Sequence, residues 1–254
     1  MSRATGNPRA ELTAWGLENL RLTTFHQPFG KVDGWWERMT GQEPDSSVGM
    51  KTGERAEIGQ WEGLMLALQM NPQMGRIDWF VSELPGEREN PPPLLTVGLA
   101  AFAGLITRWL ASELPPQPVN RMALGAVVTL PVTNGEEGYR RLSDYLPFDI
   151  DRATSSDFSY QLNRKRDSTT LPGTQVNRLM KWSVGTFLQQ TIRLTSSGVV
   201  GFGEPTNERT ACRLDLDINT HQQEGQTLPQ EQLRALFAEL VSLAEEIIRE
   251  GDIP

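Results

Sequence analysis

The same order of predicted secondary-structure elements occurs twice along this chain, on either side of a proline-rich stretch. That stretch is PPQPV at 115–119, and proline interrupts helices and strands because it lacks the backbone N–H donor. On each side we predict a strand, a short helix, three strands and a long helix. The registers also agree, since Pro28 and Pro131 each end the first strand of a half. We therefore predict an internal duplication.

The boundaries of the predicted units follow from this break. We expect 15–114 to form the first repeat and 119–254 the second, with 115–118 as the linker within one joint domain. Residues 1–14 are predicted to be a flexible tail. A chain of 254 residues is long enough for one large domain or two small ones.

Hydrophobic periodicity separates the predicted strands from the predicted helices. ACRLDLDIN (211–219) alternates apolar and polar residues, which is typical of a half-buried strand. The apolar run LLTVGLAAFAGLITRWL (94–110) is shorter than the ~20 residues of a membrane span and predicts a buried helix. TLPQEQLRALFAELVSLAEEIIREG (227–251) carries an apolar stripe at helical spacing and ends at a glycine. A long helix is therefore predicted at the end of each half.

This order of elements resembles the TATA-binding-protein-like fold, a duplicated helix-grip arrangement. The resemblance covers residues 17–250. It implies an α+β fold in which two β-α-β-β-β-α repeats form one curved antiparallel sheet, backed by two long helices. RIDW (76–79) and NRLMKW (177–182) are also similar to strands of uncharacterised bacterial proteins of about 250 residues.

Composition argues against several classes of function. The net charge is −8, whereas a protein that binds duplex DNA usually presents a basic surface. The single cysteine, Cys212, excludes an internal disulfide and fits a reducing compartment. Residues 1–16 lack the apolar run of a secretory signal. We therefore expect a cytoplasmic protein that does not enter a membrane.

Motifs for cofactors and catalysis are absent from the sequence. His26 and His221 have no Cys, Asp or Glu at ligand spacing, and Cys212 alternates with apolar residues, which is typical of an inert buried thiol. We therefore predict no catalytic residue, no metal and no cofactor. An enzymatic alternative remains at Asp215 and Asp217, which lie about 6.5–7 Å apart on one strand face.

The candidate binding residues lie on the outward face of the predicted sheet. Mixed charges and few aromatic residues on this face favour a protein partner over a nucleic acid. A basic cluster at residues 164–166 offers a site for a phosphate or an acidic partner. The candidates are Arg76, Asp78, Phe80, Asn163, Arg164, Lys165, Arg166, Asn177, Lys181, Arg213, Asp215 and Asp217.

Two adjacent tryptophans lie in the first short helix. Trp35 aligns with Tyr139 of the second half and is predicted to face the core. Trp36 aligns with Arg140, which is a surface position. We therefore expect Trp36 either to pack beneath the tail and Trp15 or to mark an interface.

These observations predict a non-enzymatic bacterial binding or accessory protein that engages a protein partner. The partner would bind the concave sheet face or a strand edge, and the similar bacterial proteins suggest a defence or toxin–antitoxin system. Two alternatives stay open: a small-molecule site between sheet and helices, and a nucleic-acid site across residues 164–181. A homodimer is also compatible with the sequence.

Overall fold

The computed structural model describes residues 9–84, 92–152, 154–189, 192–195, 198–202, 207–221 and 225–252. The strands in these residues are β1 (Gly16–His26), β2 (Ser46–Gly49), β3 (Arg55–Trp61), β4 (Leu64–Asn71), β5 (Arg76–Ser82), β6 (Val119–Val132), β7 (Ser159–Asp167), β8 (Gln175–Gln189), β9 (Ile192–Thr195), β10 (Gly198–Phe202) and β11 (Asn207–Thr220). The helices are α1 (Trp35–Thr40), α2 (Leu95–Ala111), α3 (Gly135–Ser143) and α4 (Leu233–Glu250).

Nine of these strands form one antiparallel sheet. Their order is β2-β3-β4-β5-β1-β6-β11-β8-β7, and β9 pairs with β10 in a separate hairpin. The two central strands, β1 and β6, pair over most of the length of β1. The predicted α+β class and the predicted large antiparallel sheet are confirmed, and the β9–β10 hairpin lies outside that sheet.

The described helices pack on one face of this sheet. Side chains of a strand alternate between the two faces, so the direct pairing of Gly59 with Leu66, and of Leu66 with Val81, puts these residues on one face. The same row continues across the sheet to Met180 of β8. Each helix contacts a residue of this face: α1 contacts Gly59, α2 contacts Leu64, α3 contacts Val184 and α4 contacts Arg178. None of the described helices is both long and apolar enough to cross a membrane.

Both tryptophans of α1 are buried. The Trp35 ring packs against Trp109 of α2, with 6.2 Å between the ring centroids. Trp36 is 0% exposed and lies against β3, where a Cβ added to Gly59 would come within 3.0 Å of Trp36 Cζ2. Helix α1 therefore fills the space between α2 and β3 with one ring on each side. A side chain with no exposed surface cannot contact a partner, so the interface expected at Trp36 is not formed by this residue.

The residues before β1 pack against the second half of the chain. Arg9 Nη1 lies 2.9 Å from a Glu250 carboxylate oxygen, and the Ala10 N–H donates to the Tyr145 hydroxyl at 3.0 Å. The Trp15 ring contacts Tyr145 and Trp182. Residues 1–8 of the predicted tail lie outside the described residues.

Local signals explain where several elements begin and end. Asn134 Oδ1 accepts the Glu137 N–H at 2.9 Å, as expected of an N-cap, and Gly41 ends α1 in the left-handed conformation. Strand β2, with the sequence SSVG, is not predicted from the sequence. All four of its residues are exposed, so it carries no burial pattern to recognise.

Candidate functional site

The four helices leave the other face of the sheet uncovered in the part of the chain that the structure describes. We name this surface the open face. In the central strands its residues include Arg21, Thr23 and Phe25 of β1, which pair in register with Gly125, Ala123 and Arg121 of β6. It is the surface on which the sequence predicts a binding site.

The predicted binding residues lie on the open face with two exceptions, Arg164 and Arg166. Arg164 donates to the Asp252 carboxylate at 2.5 and 3.1 Å, on the side of the sheet that carries the helices. Arg166 donates to both carboxylate oxygens of Glu246 in α4, at 2.8 and 2.7 Å. Lys165 points to the opposite face, because successive residues of a strand alternate. The basic cluster predicted at 164–166 is therefore divided between the two faces and does not form one anion site.

Arg166 belongs to an ion cluster that fixes α4 on the sheet. Arg178 of β8 is 1% exposed, and its Nη1 lies 3.8 Å from Glu246 Oε1. Burial lowers the pKa of the Arg178 guanidinium, while hydrogen bonds from Arg166 lower the pKa of Glu246. Arg166, Arg178 and Glu246, named here the α4 ion cluster, therefore have a structural role.

A chain of amide side chains crosses the open face in the second half. Asn163 Nδ2 donates to Asn177 Oδ1 at 3.5 Å, and Asn177 Nδ2 donates to Asn219 Oδ1 at 3.0 Å. Asn219 Nδ2 then donates to Asp217 Oδ1 at 3.0 Å. These bonds link β7, β8 and β11, and they hold Asp217 as a hydrogen-bond acceptor.

The neighbouring carboxylates are held by Arg213. Its Nη1 lies 2.7 Å from Glu18 Oε2, and its Nε and Nη2 donate to Asp215 Oδ1 at 3.0 and 2.8 Å. Burial raises the pKa of Glu18, with Arg213 acting in the opposite direction. Asp215 is thus bound to an arginine and Asp217 to an asparagine, an arrangement unlike a catalytic pair that shares a proton or a metal. Among the described residues, no group of three or more His, Cys, Asp or Glu side chains is arranged to hold a metal ion.

Asp78, on the open face of the first half, is buried and hydrogen-bonded to neighbouring side chains. It is 4% exposed and accepts from Thr23 Oγ1 at 2.5 Å. It also accepts from Arg76 Nε at 2.6 Å and from Arg76 Nη2 at 2.9 Å. Hydrogen bonding to Asp78 raises the pKa of the Arg76 guanidinium. Of these two predicted binding residues, Arg76 is the one that reaches the surface.

Two arginines in the middle of the open face have a different environment. Arg21 Cζ lies 5.9 Å from the centre of the Phe80 ring, and Arg121 Cζ lies 5.3 Å from the centre of the Phe25 ring. The Nε atom of each arginine is buried and has no hydrogen-bond partner among the described residues. Arg121 pairs in register with Phe25, four residues along β1 from Arg21, so the two positions are about 13 Å apart along the strands. We name Arg21 and Arg121 the central arginines.

The central arginines are absent from the residues selected by sequence reasoning. Strand alternation assigns each of them to the outward side of its own strand. Only the sheet order places β1 and β6 side by side in the middle of the sheet. The central arginines could be found from the sequence only as an arginine at an outward position in the first strand of each half.

No protein-family model matches this chain, and no curated protein matches it. Its function is therefore inferred from the geometry of the open face.

Proposed function

We propose that this protein is a non-enzymatic binding protein that engages a partner protein through its open face. In this proposal the central arginines, Arg21 and Arg121, contact acidic side chains of the partner. The observation that carries the proposal is that each arginine is partly exposed and rests on a phenylalanine ring, while no described residue accepts a hydrogen bond from its Nε. The Nε atom itself is buried beyond the reach of a partner, so the Nη groups would donate charge-assisted hydrogen bonds to a partner carboxylate.

A protein partner is favoured over a nucleic acid because the open face carries both signs of charge. Glu18, Asp215 and Asp217 lie on the same face as the central arginines. Carboxylates repel a phosphate backbone, whereas a protein surface can present complementary charges of both signs. Two residues of the predicted basic patch, Arg164 and Arg166, are already paired with carboxylates.

A small-molecule site between sheet and helices has less support. Helix α2 lies in direct contact with β1, since a Cβ added to Gly98 would come within 2.3 Å of Leu17 Cδ2. The side chains of Phe102 and Trp79, in the same layer, are fully buried. Close packing of this kind favours a filled core over a ligand cavity.

We also propose that the two halves are structural repeats in a TATA-binding-protein-like arrangement. Counted outward from the centre of the sheet, strands at equal distance on the two sides correspond to each other. These corresponding strands are β1 and β6, β5 and β11, β4 and β8, and β3 and β7. Helix α2 follows β5 along the chain, and α4 follows β11. This correspondence supports a duplication in which the partner site lies where the two repeats meet.

The test of the proposed binding function is charge reversal of both central arginines. Wild-type protein and the Arg21→Glu, Arg121→Glu double variant are immobilised and used to capture proteins from a nuclease-treated lysate of the source organism. We expect the double variant to retain at least about tenfold less of each partner that the wild type retains, because like charges replace complementary ones. Quantitative mass spectrometry of the captured proteins measures this ratio.

A matched control separates the site from the net charge of the protein. Lys31→Glu with Arg249→Glu changes the net charge equally at two exposed positions away from the open face, and it should leave capture unchanged. Equal capture by wild type and the central-arginine variant would contradict the proposal. If the wild type captures proteins from an untreated lysate but none from the nuclease-treated lysate, a nucleic-acid partner is favoured instead.

A further inference from the structure

The two edges of the sheet differ in how well they are protected from pairing with another strand. Edge strands of natural proteins often carry charged side chains, which oppose the addition of a further strand. Strand β7 has this protection in its segment NRKRD (163–167), whereas β2 is an uncharged SSVG segment. The side chains of Val48 and Met50 are 57% and 62% exposed, and Ile58 of β3 is exposed beside them. We name these three residues the β2 apolar patch.

The backbone of β2 has two residues available for a new strand. The Met50 N–H donates to the Glu54 carbonyl, in the register that pairs Val48 with Ala56. Inward-bonded and outward-facing residues alternate in an antiparallel strand. Val48 is therefore bonded towards β3, and Ser47 and Gly49 direct their N–H and C=O groups to the free edge.

We propose that β2 pairs antiparallel with β2 of a second copy of this chain, around a two-fold axis that passes beside Val48. In this register Ser47 of each copy lies opposite Gly49 of the other, so all the outward-facing groups within β2 are used. The two copies of Val48 then face each other as a non-hydrogen-bonded pair, in which side chains approach most closely. A one-residue shift would set an outward-facing residue against the inward-bonded Val48, and a two-residue shift in either direction would bring Asp45 or Lys51, which lie outside the strand, into a hydrogen-bonded pair.

Charge complementarity favours a second copy as the occupant of this edge. Asp45 Oδ2 accepts the Gln60 N–H at 2.9 Å within its own subunit. The same register, extended beyond β2, places this carboxylate near Lys51 of the other copy, and the two-fold axis repeats the pair. The two exposed residues carry opposite charges, so the edge is complementary to itself, as an interface between identical subunits requires. A pair of four-residue strands buries less than the roughly 1,200 Å² of a standard interface, so we expect a weak dimer.

Single-cysteine cross-linking tests the register directly. The native Cys212 is the only cysteine and is buried, so an introduced surface cysteine reacts alone. Cα atoms of a non-hydrogen-bonded pair lie about 4.5 Å apart, within the range that a disulfide bridges. With purified full-length protein under mild oxidation, we expect Val48→Cys to form a covalent dimer at least about tenfold faster than Met74→Cys, whose position is 72% exposed and lies in the turn between β4 and β5.

Ser46→Cys is the matched control for register. It lies on the same strand and face as Val48, but in the proposed dimer its two copies are about 13 Å apart. Cross-linking of Val48→Cys alone supports the proposal. Equal rates for Val48→Cys and Met74→Cys, or an equally fast reaction of Ser46→Cys, would overturn it. Disulfide formation in a lysate with a different polypeptide, and not between copies, would assign the edge to another partner and also overturn it.

The central-arginine variant distinguishes this dimer from the proposed partner site. Reversal of Arg21 and Arg121 should leave the cross-linking rate of Val48→Cys unchanged. A second variant, Val48→Lys, places two cations together at the two-fold axis. It should lower the sedimentation-derived dimer fraction.

Discussion

Burial changes the protonation of Cys212 and His26, two side chains whose types are often reactive in proteins. Cys212 is fully buried, its Sγ donates to the Gly138 carbonyl at 3.4 Å, and burial raises its pKa to about 12. The thiol therefore stays protonated at neutral pH, as the alternation of its strand indicates. His26 is buried at the end of β1, where one ring nitrogen contacts the Pro116 carbonyl oxygen at 2.6 Å and the other contacts Thr24 Oγ1 at 2.8 Å.

His26 is expected to make folding stability depend on pH. Burial lowers its pKa from 6.5 to about 4, so between these values the unfolded chain binds the proton more tightly. Acidification from pH 7 to pH 4 should therefore remove up to about 3 kcal/mol of the free energy of unfolding. Urea unfolding followed by circular dichroism across this range measures the slope. His26→Gln should flatten it relative to wild type and His221→Gln should not; parallel slopes in all three proteins would contradict this prediction.

Secondary-structure elements are predictable here when their periodicity is local. Strand β11 alternates along its length, and the apolar run 94–110 coincides closely with α2 (Leu95–Ala111). Strand β2 is not predicted because a short segment with every side chain exposed has no alternation of apolar and polar residues. The start of α4 also differs, since Thr227 and Gln230 do not cap it and the helix begins at Leu233 after a short 3-10 turn.

The α4 ion cluster should contribute measurably to the attachment of this helix. Glu246→Gln removes the carboxylate charge beside Arg166 and the buried Arg178. We expect the free energy of unfolding to fall by about 2–3 kcal/mol, which is below the roughly 3–5 kcal/mol of breaking a fully buried ion pair because Glu246 retains solvent access. Chemical denaturation measures the change. Glu245→Gln, at the adjacent helix position, is the control, and an equal loss in both variants would show that the cluster has no specific role.

At the scale of the whole molecule, topology decides which residues meet at the candidate site. Strand alternation predicts the face of Arg213 and Asp215, but not that Glu18, from the beginning of the chain, completes their ion pairs. The partners of Arg164 and Arg166 are equally remote in sequence and could not be predicted, although strand alternation alone places both arginines on the face opposite Lys165. The central arginines come to lie on neighbouring strands only because β1 pairs with β6.

The central β1–β6 pairing predicts that neither half folds alone. Fragments 1–118 and 119–254 would each expose one long edge of a central strand, which favours aggregation. The first fragment would also lose the packing of Trp15 against Tyr145 and Trp182. We expect each fragment alone to be aggregated or poorly structured, and the two expressed together to form a folded heterodimer, as measured by circular dichroism and size-exclusion chromatography. A folded, monomeric 119–254 fragment would contradict this expectation.

The buried aromatic core also gives the protein an internal optical reporter. All seven tryptophans are buried, and their ring contacts connect α1 with α2, α2 with β5, and the segment before β1 with β8. Indole emission moves to longer wavelength when water reaches the ring, so intrinsic fluorescence should follow the loss of structure in both halves. A single emission transition that coincides with the loss of circular dichroism would mean that the nine-stranded sheet unfolds as one cooperative unit.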